Sequence, residues 1–206
     1  MFITIDGIDG VGKSTQIKEL VKHLSDAGHD VLTVRDPGST QIGMRLREIL
    51  LESDLEIHRR TEAMLFMASR CEMIETTIRP ALTAGKTVIS DRFLLATVVY
   101  QSTPGGKDRS QQGVAPEVLW RMGEIANDGL RPDVTILLDM PAEKAIQRRV
   151  GPDDRMESRG VQYMSMVRDA FLKQLEFSSE NTAIINADQT PESVTSDLLA
   201  TVDSLI

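Results

Sequence analysis

Short runs of mostly apolar, β-favouring residues recur along the chain at Phe2 to Asp6, Val31 to Arg35, Thr87 to Ser90, Val134 to Asp139 and Ala183 to Asn186. Between them the apolar positions change period. They fall three and four apart, as in Ile17, Leu20, Val21 and Leu24 and again in Ile42, Leu46, Ile49 and Leu50. The first pattern predicts strands and the second amphipathic helices. Strands that alternate with helices predict an α/β fold, and strands this short and apolar predict a five-stranded parallel sheet buried on both faces by helices. Gly28 supplies a helix stop, Thr190 and Pro191 a helix start, and Glu192 to Ile206 reads as a closing helix.

Two stretches break the alternation. Residues 103–113, TPGGKDRSQQG, contain Pro-Gly-Gly and no apolar side chain, which predicts a mobile surface loop. Residues 150–160, VGPDDRMESRG, are charged and punctuated by Gly and Pro between two helical patterns, and predict a small lid over about 148–160. With no internal repeat and no Ser/Gly linker, residues 1–206 read as a single domain.

Composition removes several function classes. Lys and Arg number 23 against 31 Asp and Glu, so the net charge of −8 argues against a sequence-independent nucleic-acid binder. No apolar run approaches the roughly 18 residues that a membrane span needs. The start, Phe2 to Ile5 followed at once by Asp6, has no signal-peptide pattern. The only cysteine, Cys71, forms no intrachain disulfide and is expected to be a small buried hydrophobe on a helix; a cytoplasmic location fits.

The most specific chemical signal is Gly7-Ile8-Asp9-Gly10-Val11-Gly12-Lys13-Ser14, followed by Thr15, which satisfies G-x-x-x-x-G-K-[ST] between a predicted strand and a predicted helix. Glycine-permitted conformations there turn successive N–H groups toward a phosphate chain, so residues 7–15 are the candidate ATP cradle. Lys13 suits the β- and γ-phosphates, and the Ser14 hydroxyl suits Mg²⁺ bridging them. The chain has no guanine-reading N-K-x-D element, which favours ATP over GTP. A second strand ends in Ser90-Asp91-Arg92, at the carboxyl edge where open α/β sheets bind ligands. Asp91 suits a water-mediated Mg²⁺ contact and Arg92 a phosphate; a surface ion pair at a strand end is the plainer alternative.

Taken with Arg35 to Thr40 (RDPGST), Arg60 to Arg70 (RTEAMLFMASR), Asp91 to Gln101 (DRFLLATVVYQ), Arg131 to Asp133 (RPD) and Asp154 to Glu157 (DRME), the chain resembles the bacterial type of thymidylate kinase, a family of P-loop nucleoside monophosphate kinases, over nearly its whole length. The resemblance implies a P-loop NTPase three-layer sandwich and transfer of the ATP γ-phosphoryl group to dTMP, giving dTDP and ADP for dTTP synthesis. It also implies Mg²⁺ dependence and a homodimer.

Phe66 and Arg70 are four apart on a predicted helix and share a face, a flat ring beside a hydrogen-bonding fork. The resemblance assigns Phe66 to stacking on thymine and Arg70 to a carbonyl of its edge; taken alone, the two read as core and as a solvated charge. Thr97, Tyr100 and Gln101 also share a face. The resemblance brings Thr97 and Gln101 to the base and sets the Tyr100 ring where a ribose 2′-hydroxyl would sit. It matches Arg47 and Arg92 to the acceptor phosphate, with Asp9 nearby.

A phosphate monoester has a second pKa near ~6, so the attacking oxygen is already deprotonated and no general base is required. Catalysis reduces to positioning and charge neutralisation, by Lys13, Arg92 and an Asp9 that orients the arginines or Mg²⁺ water. The loop interior, Ile8 to Val11, has no arginine for the γ-phosphoryl group. The lid offers Arg148, Arg149, Arg155 and Arg159; Arg155 matches the family's lid element and is expected to close on ATP, with Arg149 a further ATP contact.

Three positions depart from the family pattern. Asp36 stands for the usual glutamate of R-E-P-G, Ala96 replaces a hydroxyl residue, and loop 103–113 is longer than usual. A kinase for dUMP or dCMP, and a non-catalytic ATP-binding sensor, are the alternative functions. The helix from Arg59 to about Ala84 carries Met64, Leu65, Met67, Ala68, Cys71 and Ile74, more apolar surface than one stripe needs, which fits either a dimer face or core burial.

Overall fold

The structure, a computed structural model, describes residues 1–52, 55–105, 111–148 and 160–205. Strand β1 (Phe2–Asp6) leads into helix α1 (Lys13–Asp26), β2 (Val31–Arg35) and α2 (Gln41–Arg47), which widens into a looser turn at Glu48–Glu52. Helix α3 (Arg59–Met73) passes through a similar widened turn at Ile74–Ile78 into α4 (Arg79–Thr83) and then β3 (Thr87–Asp91). There follow α5 (Leu94–Ser102), α6 (Pro116–Asn127), β4 (Val134–Asp139), α7 (Ala142–Arg148), α8 (Gly160–Gln174), β5 (Asn181–Asn186) and α9 (Pro191–Asp203).

The five strands form one parallel sheet in the order β2-β3-β1-β4-β5. The strand alternation sorts side chains to two cores, as a period of two requires. Ile3, Ile5, Ile89 and Ile136 pack with Leu20 and Leu24 of α1, Val167 and Phe171 of α8, and Leu198 of α9. Phe2, Val34 and Val88 pack on Ala63 and Met67 of α3 and Leu119 of α6. The result is the expected sandwich of helices on both faces. Burial on both faces holds for the inner strands β1, β3 and β4, whereas the edge strands β2 and β5 are largely open. That openness lets β5 begin at Asn181, two polar residues ahead of the apolar run that marks it in the sequence.

Local chemistry sets the helix starts. The Thr40 hydroxyl accepts the Gly43 N–H at 2.9 Å to cap α2, and Thr190 caps α9 by accepting from Ser193. Two expectations need correction. Cys71 is exposed, because α3 turns Ala63, Met67 and Met73 inward and leaves Met64, Ala68 and Cys71, at positions i, i+4 and i+7, facing outward. Loop 103–113 is not wholly a surface feature. Thr103 is buried with its hydroxyl on the Val99 carbonyl, and the Gly105 N–H donates to the Gln111 carbonyl at 3.0 Å. Gly113 passes so close to Ser102 that a Cβ would overlap its carbonyl oxygen. Residues 106–110, and 149–159 of the expected lid, lie outside the described residues. No helix among the described residues is long and apolar enough to cross a membrane.

Candidate active site

The phosphate cradle begins where β1 ends. Gly7 takes φ +141°, and a Cβ there would lie 2.5 Å from the Leu138 carbonyl oxygen, so β4 and the backbone positive φ both exclude any larger residue. Gly10 and Gly12 also have positive φ, and Gly12 delivers the chain into α1. Ile8 and Val11 are buried and anchor the loop, while Ser14 and Thr15 stand exposed in the first turn of the helix. Lys13 folds back over the loop. Its ammonium donates to the Gly7 and Ile8 carbonyls, both at 3.0 Å, and to Asp9 Oδ1 at 3.2 Å.

Strands β1 and β3 are neighbours, with Ile5 in register with Asp91, so residues just beyond both strands meet. Arg92 adopts the left-handed conformation at φ +69°, and this re-aims its side chain across the loop. Its Nη1 donates to the Gly7 carbonyl at 2.9 Å and its Nη2 to Asp9 Oδ1 at 2.7 Å; the guanidinium also lies over the Tyr100 ring at 5.1 Å. The Tyr100 hydroxyl donates to Asp9 Oδ2 at 3.2 Å. Asp9 is thus a hub that receives two cations and a phenol. Burial pushes its pKa up, but the Arg92 and Lys13 charges outweigh this and hold it well below the usual carboxylate range. Burial and the Arg92 charge together lower the Lys13 pKa, against the pull of Asp9 and Asp91.

One pocket opens from this hub. Asp9, Arg47, Phe66, Arg92, Thr97, Tyr100 and Gln101 all line it, contributed by the first loop, α2, α3, the end of β3 and α5. Phe66 is both core and wall, 9% exposed. Ala96 and Asp36, two of the departures, line the same pocket. Arg47 donates to the Pro37 carbonyl at 3.1 Å.

The family model for thymidylate kinase matches residues 5–198. A thymidylate kinase of Rhodopirellula baltica is 58% identical over 96% of this chain and 78% of its own length. Those of Maridesulfovibrio salexigens and Chlorobaculum parvum are 36% and 38% identical, over 98% and 100% of this chain and 94% and 96% of theirs. The chain belongs to the thymidylate kinase family.

In this member of the thymidylate kinase family, Arg70 is held in a buried network with two residues of the pocket wall, Asp36 and Thr97. It is 1% exposed and is absent from the pocket lining; its Nε donates to Asp36 Oδ2 and its Nη2 to the Thr97 hydroxyl, both at 2.5 Å. Nη2 also reaches the Phe93 carbonyl at 3.4 Å. Arg70 therefore stands behind Thr97, and the aspartate at position 36 has the reach that this buried pair needs. A second buried pair lies two to three turns earlier on α3. Arg59 donates to Glu62 at 2.8 Å with both side chains fully buried, and Gln101 Nε2 donates to Glu62 at 3.3 Å. Arg59 also donates to the Thr103 carbonyl and the Tyr163 hydroxyl.

Sequence reasoning missed Arg59, Glu62 and Tyr163. Glu62 precedes Phe66 by four and Arg70 by eight, so the face that carries the two recognised residues also carries it. Tyr163, far along the chain on α8, has no comparable local signal.

The donor set fits Mg²⁺. Asp91 Oδ1 and both Asp6 carboxyl oxygens are buried without a partner among the described residues, and the Ser14 hydroxyl is exposed beside the cradle, so the available ligands are hard oxygens. Asp91 Oδ2 faces Arg35 at 3.8 Å. Among the lid arginines, Arg148 donates to the Ala187 carbonyl at 3.0 Å, on the loop after β5. Arg149, Arg155 and Arg159 lie outside the described residues.

Proposed function

We propose that this chain is a dTMP kinase that moves the γ-phosphoryl group of ATP onto dTMP, releasing ADP and dTDP. The observation that carries this is the sharing of Asp9 and Arg92 between the phosphate cradle and the pocket beside it. Two nucleotides bound there would meet with their phosphates at the hub. Membership of the thymidylate kinase family supports dTMP as acceptor over the dUMP, dCMP and sensor alternatives.

In this assignment the N–H groups of residues 7–15 and the Lys13 ammonium hold the ATP phosphates. Lys13 exchanges its present carbonyl partners for phosphate oxygens, which are stronger charge-assisted acceptors. Arg92 and Arg47 hold the acceptor phosphate. Asp9 keeps Lys13 and Arg92 at fixed separation, so reorganisation during transfer is small. Ser14 and Asp91 would hold Mg²⁺, which would supply charge neutralisation at the phosphates. Phe66 stacks on the base, Thr97 and Gln101 read its edge, and Tyr100 packs against the sugar.

Residues 1–206 act as one domain, the segment around 148–160 closes as a lid, and within it Arg155 and Arg149 engage ATP. The outward stripe of Met64, Ala68 and Cys71 on α3, with Met64 60% exposed, supports a homodimer face. A cytoplasmic setting accords with ATP as co-substrate.

The test is a dinucleotide in which adenosine and thymidine are joined through a polyphosphate bridge. It should compete with both ATP and dTMP and bind more tightly than either. Competition with only one of them would contradict two nucleotides meeting at Asp9.

A further inference from the structure

The two polar residues that read the base edge, Thr97 and Gln101, stand four apart on α5, and each is backed by a buried charged group on α3. A glutamine amide is ambiguous by itself, since one end donates and the other accepts. Here the ambiguity is removed. Glu62 is salt-bridged to Arg59 and so offers acceptors only, which requires the Gln101 NH₂ to face it, at 3.3 Å. What Gln101 retains for the pocket is its oxygen, Oε1, buried and without a partner among the described residues. Thr97 is fixed in the opposite sense: Arg70 can only donate, so the Thr97 oxygen accepts from it and the hydroxyl proton is left to donate elsewhere.

The pocket therefore presents a donor and an acceptor side by side. Thymine and uracil carry the complement, a carbonyl oxygen at O4 beside an N3–H. Cytosine carries the inverse, an amine beside an unprotonated N3, and would leave both readers unmatched in a buried site.

We propose that Glu62 is a positioning residue for base preference: by holding the Gln101 amide in one orientation, it makes the pocket take pyrimidines with an N3–H and reject cytosine. This rests on the assignment of the pocket to the acceptor base. Glu62 is itself held in place. Its partner Arg59 is tied to the Thr103 carbonyl at 3.1 Å and to Tyr163 at 3.4 Å, so the carboxylate has little freedom to release the amide. A fully buried ion pair is a poor device for stability, because desolvation offsets most of its attraction. Fixing a hydrogen-bond direction gives it a use that apolar packing would not supply.

The experiment compares kcat/KM for dTMP and dCMP in the wild type, in Glu62→Gln, and in Arg59→Met/Glu62→Gln, which leaves no unpaired buried charge. A neutral amide at position 62 can face Gln101 with either end, so the Gln101 orientation is released. The wild type should prefer dTMP by at least about 100-fold. In the folded variants the dTMP-to-dCMP ratio should fall at least about tenfold, mainly through a raised KM for dTMP and a lowered KM for dCMP. A purely structural role would lower both acceptors in parallel and leave the ratio unchanged, and that result would overturn the role of Glu62. A wild type that phosphorylates dCMP as readily as dTMP would instead overturn the base assignment. If neither variant folds, the wild type decides by NMR: the Gln101 side-chain NH₂ should exchange slowly with solvent and keep its shift when dTMP binds. A large shift of those protons on dTMP binding would place the amine, not the oxygen, against the base and overturn the proposal.

Discussion

Arg92 reaches Asp9 Oδ1 at 2.7 Å from the carboxyl end of the neighbouring parallel strand, so one carboxylate couples the loop after β1 to the residue that follows β3. The contact is charge-assisted and only partly exposed, in the range where such bonds are strong. Asp9→Asn keeps the shape and removes the charge that separates Lys13 from Arg92. The expected loss in kcat/KM for dTMP is on the order of 100-fold, with the fold retained by circular dichroism. A variant within about threefold of the parent would show that the two cations hold their positions without Asp9.

Asp36 and Arg70 form a buried pair, each no more than 2% exposed at its side chain. Asp36→Ala leaves the Arg70 guanidinium buried without its carboxylate, which costs about 3–5 kcal/mol. Chemical denaturation should show a loss of this size, and dTMP binding should weaken because Thr97 loses its fixed partner. A change below about 1 kcal/mol would mean that Arg70 is solvated at little cost.

Asp6 supplies a pH dependence. Both its oxygens are buried without partners among the described residues, and burial raises its pKa to about 7, the Arg92 and Lys13 charges pulling it back only in part. The folded pKa lies above that of the unfolded chain. The native state therefore binds the extra proton, and stability falls as pH rises from about 4 to 7. Asp6→Asn cannot ionise. In free enzyme its melting temperature should match the parent near pH 4 and exceed it by several degrees at pH 8, given about 2–4 °C per kcal/mol for a chain of this length. A difference that does not change with pH would contradict this.

Arg155 supplies the lid prediction. The phosphate loop has no arginine between Gly7 and Gly12, so the cation that meets the γ-phosphoryl group must come from elsewhere. Arg155→Ala should lower the single-turnover rate by on the order of 10³. A loss below about tenfold would move the role to Arg149 or Arg159.

Much of this was legible in the residues themselves. The change from short apolar runs to apolar positions three and four apart marked every strand and the main helices, because burial on both faces leaves the first trace and burial of one helix stripe the second. The edge strand β5 was cut short, since Asn181 and Thr182 pair in the sheet while facing solvent and carry no apolar signal. The cradle was visible because positive φ restricts Gly7, Gly10 and Gly12 to glycine. Arg70, which taken alone reads as a solvated charge, is buried instead, because its partners Asp36 and Thr97 lie 34 and 27 residues away, a distance no local pattern encodes. Cys71 was expected inside because an unpaired cysteine packs like a small hydrophobe, yet a helix with as much apolar surface as α3 must expose some of it.

In the proposed reaction phosphorus passes between two nucleotides meeting at Asp9 and Arg92, with dTMP the preferred acceptor. ADP release from ATP, measured across dTMP, dUMP, dCMP and no acceptor, with Mg²⁺ and after its chelation, tests this most directly. Mg²⁺-dependent release should be fastest with dTMP, slower with dUMP, which lacks only one methyl, and near background with dCMP or no acceptor. ATP binding with no acceptor-dependent release, or release fastest with another base, would contradict it.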